Sequence, residues 1–318
     1  MSATISLNLS TFFTRVRVED AQVSHRPVML KEVLETLQLP FGGVAVDGTL
    51  GLAGHAVHML EAVGSEGVLL GFDWDTDMLS RARGILREKY GNQIRLFHAD
   101  FREMPETLDE LDLKADGVLL DLGLNSAQIE DSSRGIAFRE EGPLDMRMDR
   151  TRGEPASALL NRLSPHEIEA MLWHNGDERW AKAIARKIVE RRKVNPLRTT
   201  TDLVDAVLAA IPSGARDKRI HPATRTFQAV RIAVNNELEG LQDAVEEIAA
   251  RLAPGGTLAI LSYHSGEDRA VKNAFRALAA GPEFVEMYKK PLTPTASEIA
   301  TNPRSRSAKL RALQRKKT

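Results

Sequence analysis

The chain has 318 residues and a mass of 35.1 kDa, which suggests about two domains at ~150 residues each. Hydrophobic residues make up 42% and charged residues 27%, which excludes global disorder. Cysteine is absent, which excludes disulfides, thiolate zinc sites, thiolate-held iron–sulfur clusters and a cysteine nucleophile. Net charge is −1, but the charge is segregated. Residues 97–149 hold 14 acids and 5 bases, residues 179–198 hold 8 bases and one acid, and residues 303–318 hold 7 bases and no acid. Such a chain can present a basic face to a polyanion. The plainer alternative is a few solvated helix faces and a frayed basic tail.

Residues 1–25 read as a loose extension without a sustained period. They lack a basic stretch followed by a long apolar one, so no secretory signal is expected and the cytoplasm is the default. No run of 18 uncharged apolar residues occurs, so no membrane span is expected. Val28, Leu30, Val33, Leu34 and Leu37 predict a helix over 27–39. Four short apolar runs then alternate with helical patterns: Val44–Asp47, Val68–Asp73, Ile94–His98 and Gly117–Asp121. A helix is predicted over 55–63 and another over 76–90, with Asp75 or Thr76 as N-cap. Continuous apolar strands separated by helices mean a parallel sheet covered on both faces. Strand signals then stop. Helices are expected over 165–174, 178–192 and 201–211, and a long helical pattern runs from His221-Pro222 to about Leu252. A turn at Pro254-Gly255-Gly256 precedes a last buried strand over 257–262. The expectation is an α/β domain with a parallel sheet, discontinuous over 26–126 and 221–318, interrupted by a helical insertion at 127–220.

Ligands of such sheets bind beyond the carboxyl ends of the strands. Four strand ends carry distinctive groups: Asp47 with the turn Gly48-Thr49-Leu50-Gly51-Leu52-Ala53-Gly54, then Asp73, Asp100-Phe101 and Asp121. A glycine turn lets a ligand approach backbone N–H groups closely. Asp73 is placed for the two hydroxyls of a ribose. NAD and S-adenosylmethionine both satisfy this pattern. The spacing G-x-x-G-x-x-G departs from the dinucleotide fingerprint and suits a cofactor without a pyrophosphate.

Six segments carry a family resemblance: Asp47-Gly48-Thr49 with Gly51 and Gly54-His55; Leu119–Gly123; Gly142–Asp149; His221–Ala229; Tyr263-His264-Ser265 with Glu267-Asp268-Arg269; and Asn302–Lys309. In this order they resemble the ribosomal RNA small-subunit methyltransferase H family, also called MraW, from about His25 to Lys309. The resemblance implies a class I S-adenosylmethionine methyltransferase fold, Rossmann-like, with an inserted all-helical domain. It implies transfer of a methyl group from S-adenosyl-L-methionine to the exocyclic N4 of a cytidine in the decoding region of 16S rRNA. The substrate would be this RNA within the small ribosomal subunit or a late assembly intermediate; a homodimer stays open. By motif position the cofactor contacts would be Ala53, Gly54, His55, Asp73, Phe101, Asp121 and Gln128. Ala53 stands where glycine is common, Asn125 and Ala127 where serine and proline are usual, and Gly266 where leucine is usual.

The chemistry agrees with the residue inventory. Methylation at a pyrimidine carbon 5 begins with a cysteine attack, and this chain has no cysteine. An exocyclic amine needs positioning, which supplies roughly 7–11 kcal/mol of a barrier, and a hydrogen-bond acceptor. Asp121 is the best-placed acceptor, but the resemblance favours contact with the cofactor over a catalytic role, and organisation of its loop is a further reading. Asn125 and Ser126 compete on the substrate side, where Ser126 can equally be a turn hydroxyl. For the RNA, Arg147, Arg191, Arg192, Lys193, His264, Arg304 and Arg306 are candidates, although an internal ion pair is the usual fate of an arginine such as Arg147. Trp173 and Trp180 read as core. No spaced set of His and acids predicts a metal site. A nicotinamide-dependent dehydrogenase and a non-catalytic assembly protein are the rival classes.

Overall fold

A computed structural model describes residues 26–217 and 219–317. The expected extension at 1–25 lies outside the described residues. The first half follows the β–α alternation: α1 (Leu30–Leu37), β1 (Val44–Asp47), α2 (Gly54–Val63), β2 (Val68–Asp73), α3 (Thr76–Tyr90), β3 (Ile94–His98), α4 (Met104–Glu110) and β4 (Ala115–Asp121). Asp75 is the N-cap of α3, accepting from the backbone N–H of Asp77 and Met78.

The helical stretch comprises α5 (Ser126–Glu130), α6 (Ala156–Arg162), α7 (Pro165–Gly176), α8 (Ala181–Arg192) and α9 (Thr200–Ala210). The long helix expected up to Leu252 is two helices, α10 (Thr224–Val234) and α11 (Leu241–Ala249). The chain breaks between them where Asn236 and Gly240 adopt left-handed backbone angles, φ 52° and 68°. The chain then forms β5 (Leu252–Ser262), α12 (Ser265–Ala279), β6 (Phe284–Glu286), α13 (Ala296–Thr301) and β7 (Lys309–Arg315). The expected turn at Pro254–Gly256 is a register shift inside β5, between the pairs Ala115–Leu252 and Gly117–Thr257.

The sheet order is β3-β2-β1-β4-β5-β7-β6. Strands β1 to β5 run parallel, and β7 runs antiparallel between β5 and β6. Alternate residues feed two apolar layers. Val46, Leu70, Val118 and Ile260 lie on one face, and Ala45, Leu69, Leu119 and Ala259 on the other. A frayed basic tail is therefore the wrong picture of the C-terminus. Residues 309–315 are a paired strand in which Leu310 and Leu313 enter opposite layers, and Asp268 holds both Lys309 and Arg311. A third core joins Leu160, Leu172, Ile184, Ile188, Leu203 and Val207 of the helical stretch. It continues past residue 220 into α10 through Ala223, Phe227 and Val230. Trp180 packs against this core, but Trp173 is 56% exposed, contrary to a core role.

The strand order reverses between β1 and β4, so their carboxyl ends diverge into a crevice. Helix α10 contributes Thr224, Phe227, Gln228 and Arg231 to the lining of a cavity at that crevice.

Candidate active site

The cavity has a volume of about 540 Å³, within the range of small-molecule sites. Its floor is the glycine turn after β1. Thr49 Oγ1 accepts from the backbone N–H of Asp121 at 2.6 Å, tying that turn to the end of β4. A side chain at Gly48 would push on the core, because a Cβ there would come within 2.4 Å of Leu120 Cδ2 and 2.7 Å of Met104 Cε, and both side chains would have to shift. Ala53, the N-cap of α2, sits at φ 62°, the left-handed region, which explains the preference for glycine at this point of the pattern.

Asp73 ends β2 and is buried. Its Oδ2 accepts from Gly51 N–H at 2.7 Å and its Oδ1 from Asp75 N–H at 2.9 Å. Burial pushes its pKa up to about 6 against those bonds, and burial pushes neighbouring Asp47 to about 7. Phe101 lies at the cavity wall after β3, with the Arg102 guanidinium 4.8 Å from its ring centre. His55 Nε2 is 3.0 Å from the Val28 carbonyl and donates to it, so Nδ1 is left as an acceptor facing Asp121 Oδ2 at 3.6 Å. Burial lowers the His55 pKa, although Asp121 opposes this. A cation or donor placed beside these two acceptors is favoured.

Asp121 is itself oriented. Tyr263, at the end of β5, donates its hydroxyl to Asp121 Oδ1 at 2.6 Å. Burial and the Asp121 charge raise the Tyr263 pKa well above its ordinary value, so it stays a donor. Asn125 and Gln128 form a reciprocal cap on α5: Asn125 Oδ1 accepts from Gln128 N–H at 3.0 Å, and Gln128 Oε1 from Asn125 N–H at 3.2 Å. Gln128 Nε2 donates to Asp75 Oδ2 at 2.9 Å. That carboxylate is also held at 2.8 Å by Arg134, a fully enclosed arginine that reaches Asp77 and Asp131 as well. The residue spacing gave no signal for Arg134. Tyr263 stood inside a quoted motif, but nothing in its sequence position said that it meets Asp121.

Gly54, His55, Asp73, Phe101, Asp121, Asn125, Gln128, His264 and Arg304 all line the cavity. Ala53 and Ser126 stand behind this lining, as the N-cap of α2 and the first residue of α5. Arg147 and the α8 cations do not line it. Arg147 forms a two-pronged pair with Asp145 at 2.7 and 3.0 Å. Arg191 pairs with Asp202, and Arg192 donates to the Leu160 carbonyl. Lys193 and Arg306 are exposed, and Arg304 pairs with Glu130 at 2.8 Å.

Glu237, His264 and Glu267 lie close enough to suggest a metal cluster. Their atoms are already committed. Both Glu237 oxygens accept from Arg231, at 2.8 and 2.7 Å. His264 Nδ1 accepts from the backbone N–H of Gly266 and Glu267, so its ring proton sits on Nε2. A protonated ring nitrogen beside a guanidinium is a poor cation site.

The cavity fits S-adenosyl-L-methionine on its own observations. A buried carboxylate at Asp73 offers acceptors for ribose hydroxyls, and the Phe101 ring an apolar wall. The His55–Asp121 acceptor pair suits an ammonium.

The sequence model of the MraW methylase family matches residues 22–316. A protein of Geotalea uraniireducens named ribosomal RNA small subunit methyltransferase H is 44% identical over 92% of this chain and 98% of its own length. A like-named protein of Heliobacterium mobile is 45% identical over 92% of this chain and 98% of its own. Another, from Geobacter sulfurreducens, is 45% identical over 92% and 99%.

Proposed function

The chain belongs to the MraW methylase family, with S-adenosyl-L-methionine as its cofactor, and from that premise we propose that it methylates small-subunit ribosomal RNA at the exocyclic N4 of a cytidine in the decoding region of 16S rRNA. The observation that carries the reading is the meeting of Asp73 and Asp121 in one cavity with α10 of the helical core in its lining. One end is equipped for a cofactor, and the other is lined by a second core that can hold a substrate. The substrate is the RNA within the small subunit or a late assembly intermediate, and the cytoplasm is where these occur. No helix among the described residues is long and apolar enough to cross a membrane.

When bound, the cofactor supplies an electrophilic methyl on a sulfonium. The chain's own residues position and exclude. Asp73 would hold the ribose, Phe101 would flank the adenine, and Gly54, His55 and Gln128 would contact the rest. Asp121, fixed by Tyr263 and by Thr49, stands at the end of β4 where an amine would enter. Its carboxylate can accept an N4 hydrogen and draw the nitrogen lone pair toward the methyl. On methylation N4 would give up one proton, which the Asp121 carboxylate is placed to accept. Asn125, the N-cap of α5, lines the same cavity, and Ser126 follows it outside the lining. The target base must leave its stack to reach this depth. Arg304, Arg306 and Lys193 would contact phosphates without reading sequence.

Mass spectrometry of nucleosides from small-subunit rRNA incubated with the protein and labelled cofactor tests the reading. N4-methylcytidine is expected. A methyl on carbon 5 or on the ribose overturns it.

A further inference from the structure

Beyond the cofactor end, the cavity presents a second set of groups. Helix α10 turns Thr224, Phe227, Gln228 and Arg231 toward it, three and four residues apart and therefore on one face. Arg231 is consumed by its two-pronged pair with Glu237. The Gln228 carboxamide makes no hydrogen bond to another described residue, so a donor and an acceptor face the space together.

Across from α10, His264 caps α12. Its Nδ1 accepts from Gly266 N–H at 3.2 Å and from Glu267 N–H at 3.4 Å. Those two backbone donors fix the ring proton on Nε2. That nitrogen is buried and has no aligned acceptor, although Glu267 Oε1 lies 3.2 Å away. A buried donor without an aligned acceptor is costly unless a ligand supplies one. Phe138 and Phe227, with ring centres 4.7 Å apart, make an apolar wall beside these groups.

We propose that Gln228 and His264 read the Watson–Crick edge of the base being methylated, with its ring against Phe138 and Phe227. The proposal rests on the cytosine reading above. A cytosine offers O2 and N3 as acceptors and the N4 hydrogens as donors. The fixed His264 N–H suits O2. The Gln228 amide donates to N3 and accepts one N4 hydrogen, leaving the N4 lone pair turned to the methyl. His264 and Gln228 are thus specificity residues at the substrate, separate from the cofactor contacts.

The test uses the full-length protein with small ribosomal subunits lacking the modification. His264→Asn keeps a side-chain acceptor for the α12 cap and removes the Nε2 donor. Gln228→Leu keeps bulk and removes both polar atoms. Each is expected to lower kcat/KM for methyl transfer about tenfold, the scale of one lost hydrogen bond to a bound group. Calorimetric affinity for S-adenosylhomocysteine and thermal stability should stay at wild-type values. N4-methylcytidine formed at the wild-type rate by both variants overturns the base reading and leaves the function standing. Loss of cofactor affinity or of stability in both variants also overturns it, by showing a structural role. A wild-type product other than N4-methylcytidine overturns the cytosine function itself, and the assignment of this edge with it.

Discussion

The strand-end cavity and the outer face of α8 handle charge in opposite ways. At the strand ends, Asp47 before the glycine turn and Asp73 on the cavity wall are buried, neither has an ion-pair partner among the described residues, and burial pushes both pKa values up, to about 7 and about 6. On α8, Arg186 and Lys187 share Glu190, and Arg191 holds Asp202. The first arrangement is unfavourable for the protein alone and is relieved by a ligand carrying donors or positive charge. The second is already satisfied within the domain. Local basic excess is thus a weak guide to a binding face, because the fold itself can consume the charge.

Compensated pairs also occur around the cavity, as at Arg102–Asp100 and Arg231–Glu237, and breaking the most deeply buried of them should give the largest effect. Arg134 is enclosed and compensates Asp75, which in turn holds Gln128. Arg134→Ala leaves a buried carboxylate without its cation, and should destabilise the protein by about 3–5 kcal/mol. Denaturant unfolding measures this. A midpoint at the wild-type value would mean that the rim of the site does not depend on this pair.

Next in size is Asp73→Ala. Losing hydrogen bonds from a charged group to a bound ribose should cost about 1.5–3 kcal/mol, roughly ten- to hundredfold in cofactor affinity. Folding should suffer less, because the acceptor lost to the Gly51 and Asp75 N–H groups is offset in part by removal of an acid whose burial was unfavourable. Calorimetry with S-adenosylhomocysteine, run beside thermal unfolding, separates the two effects. Unchanged affinity would remove Asp73 from the cofactor site.

The same acid makes the two regions differ in pH response. In the folded protein Asp73 and Asp47 are pushed up to about 6 and about 7, above the 3.8 of an unperturbed aspartate, so the folded state binds more protons than the unfolded one between those limits. Their contribution to the stability of the cofactor-free protein is therefore full below about pH 4 and is lost as pH rises toward 7. Cofactor affinity should move the other way, strengthening as pH rises through 6, because an ionised Asp73 accepts from ribose hydroxyls. Titrations at pH 5 and pH 7 check both signs. Asp73→Asn should flatten the affinity trend, and an affinity that falls with pH would contradict the ribose assignment.

Particular residues show what the chain made legible and what it hid. The parallel strands announced themselves because both faces are buried, which leaves uninterrupted apolar runs such as Val118-Leu119-Leu120. The glycine turn and the acids after it followed from the strand ends, and these residues do converge on the cavity. Strand β7 was hidden because its charged residues mimic a solvated tail. Lys309 and Arg311 are accommodated only because Asp268, forty residues earlier in the chain, is brought to them. The break between α10 and α11 was hidden because Asn236 adopts a left-handed angle that its neighbours' periodicity does not reveal. Arg134 was hidden for the same reason as β7: its partners Asp75 and Asp77 lie far off in sequence. Contacts within one turn or one strand end can be read from spacing, and ion pairs closed by the fold cannot.

The smallest expected effect separates paired from unpaired cations on the helical domain. Lys193, the C-cap of α8, is exposed and has no ion pair among the described residues, whereas Arg191, just before it in the last turn of α8, holds Asp202. Reversing Lys193 to Glu should leave stability unchanged. If Lys193 meets one RNA phosphate, the slope of log affinity against log salt should become shallower by about one, with a modest loss of affinity at low salt. Reversing Arg191 to Glu should instead place two acids together at the α8–α9 contact and lower the unfolding temperature. RNA binding would then fall only as far as the domain loosens, so a combined charge reversal over both positions would confound the two causes. Measured singly, they distinguish a cation that serves the fold from one that serves the RNA. A salt slope that is unchanged in Lys193→Glu would remove this face of α8 from the RNA interface, and the basic contacts would then fall to Arg304 and Arg306 beside the cavity.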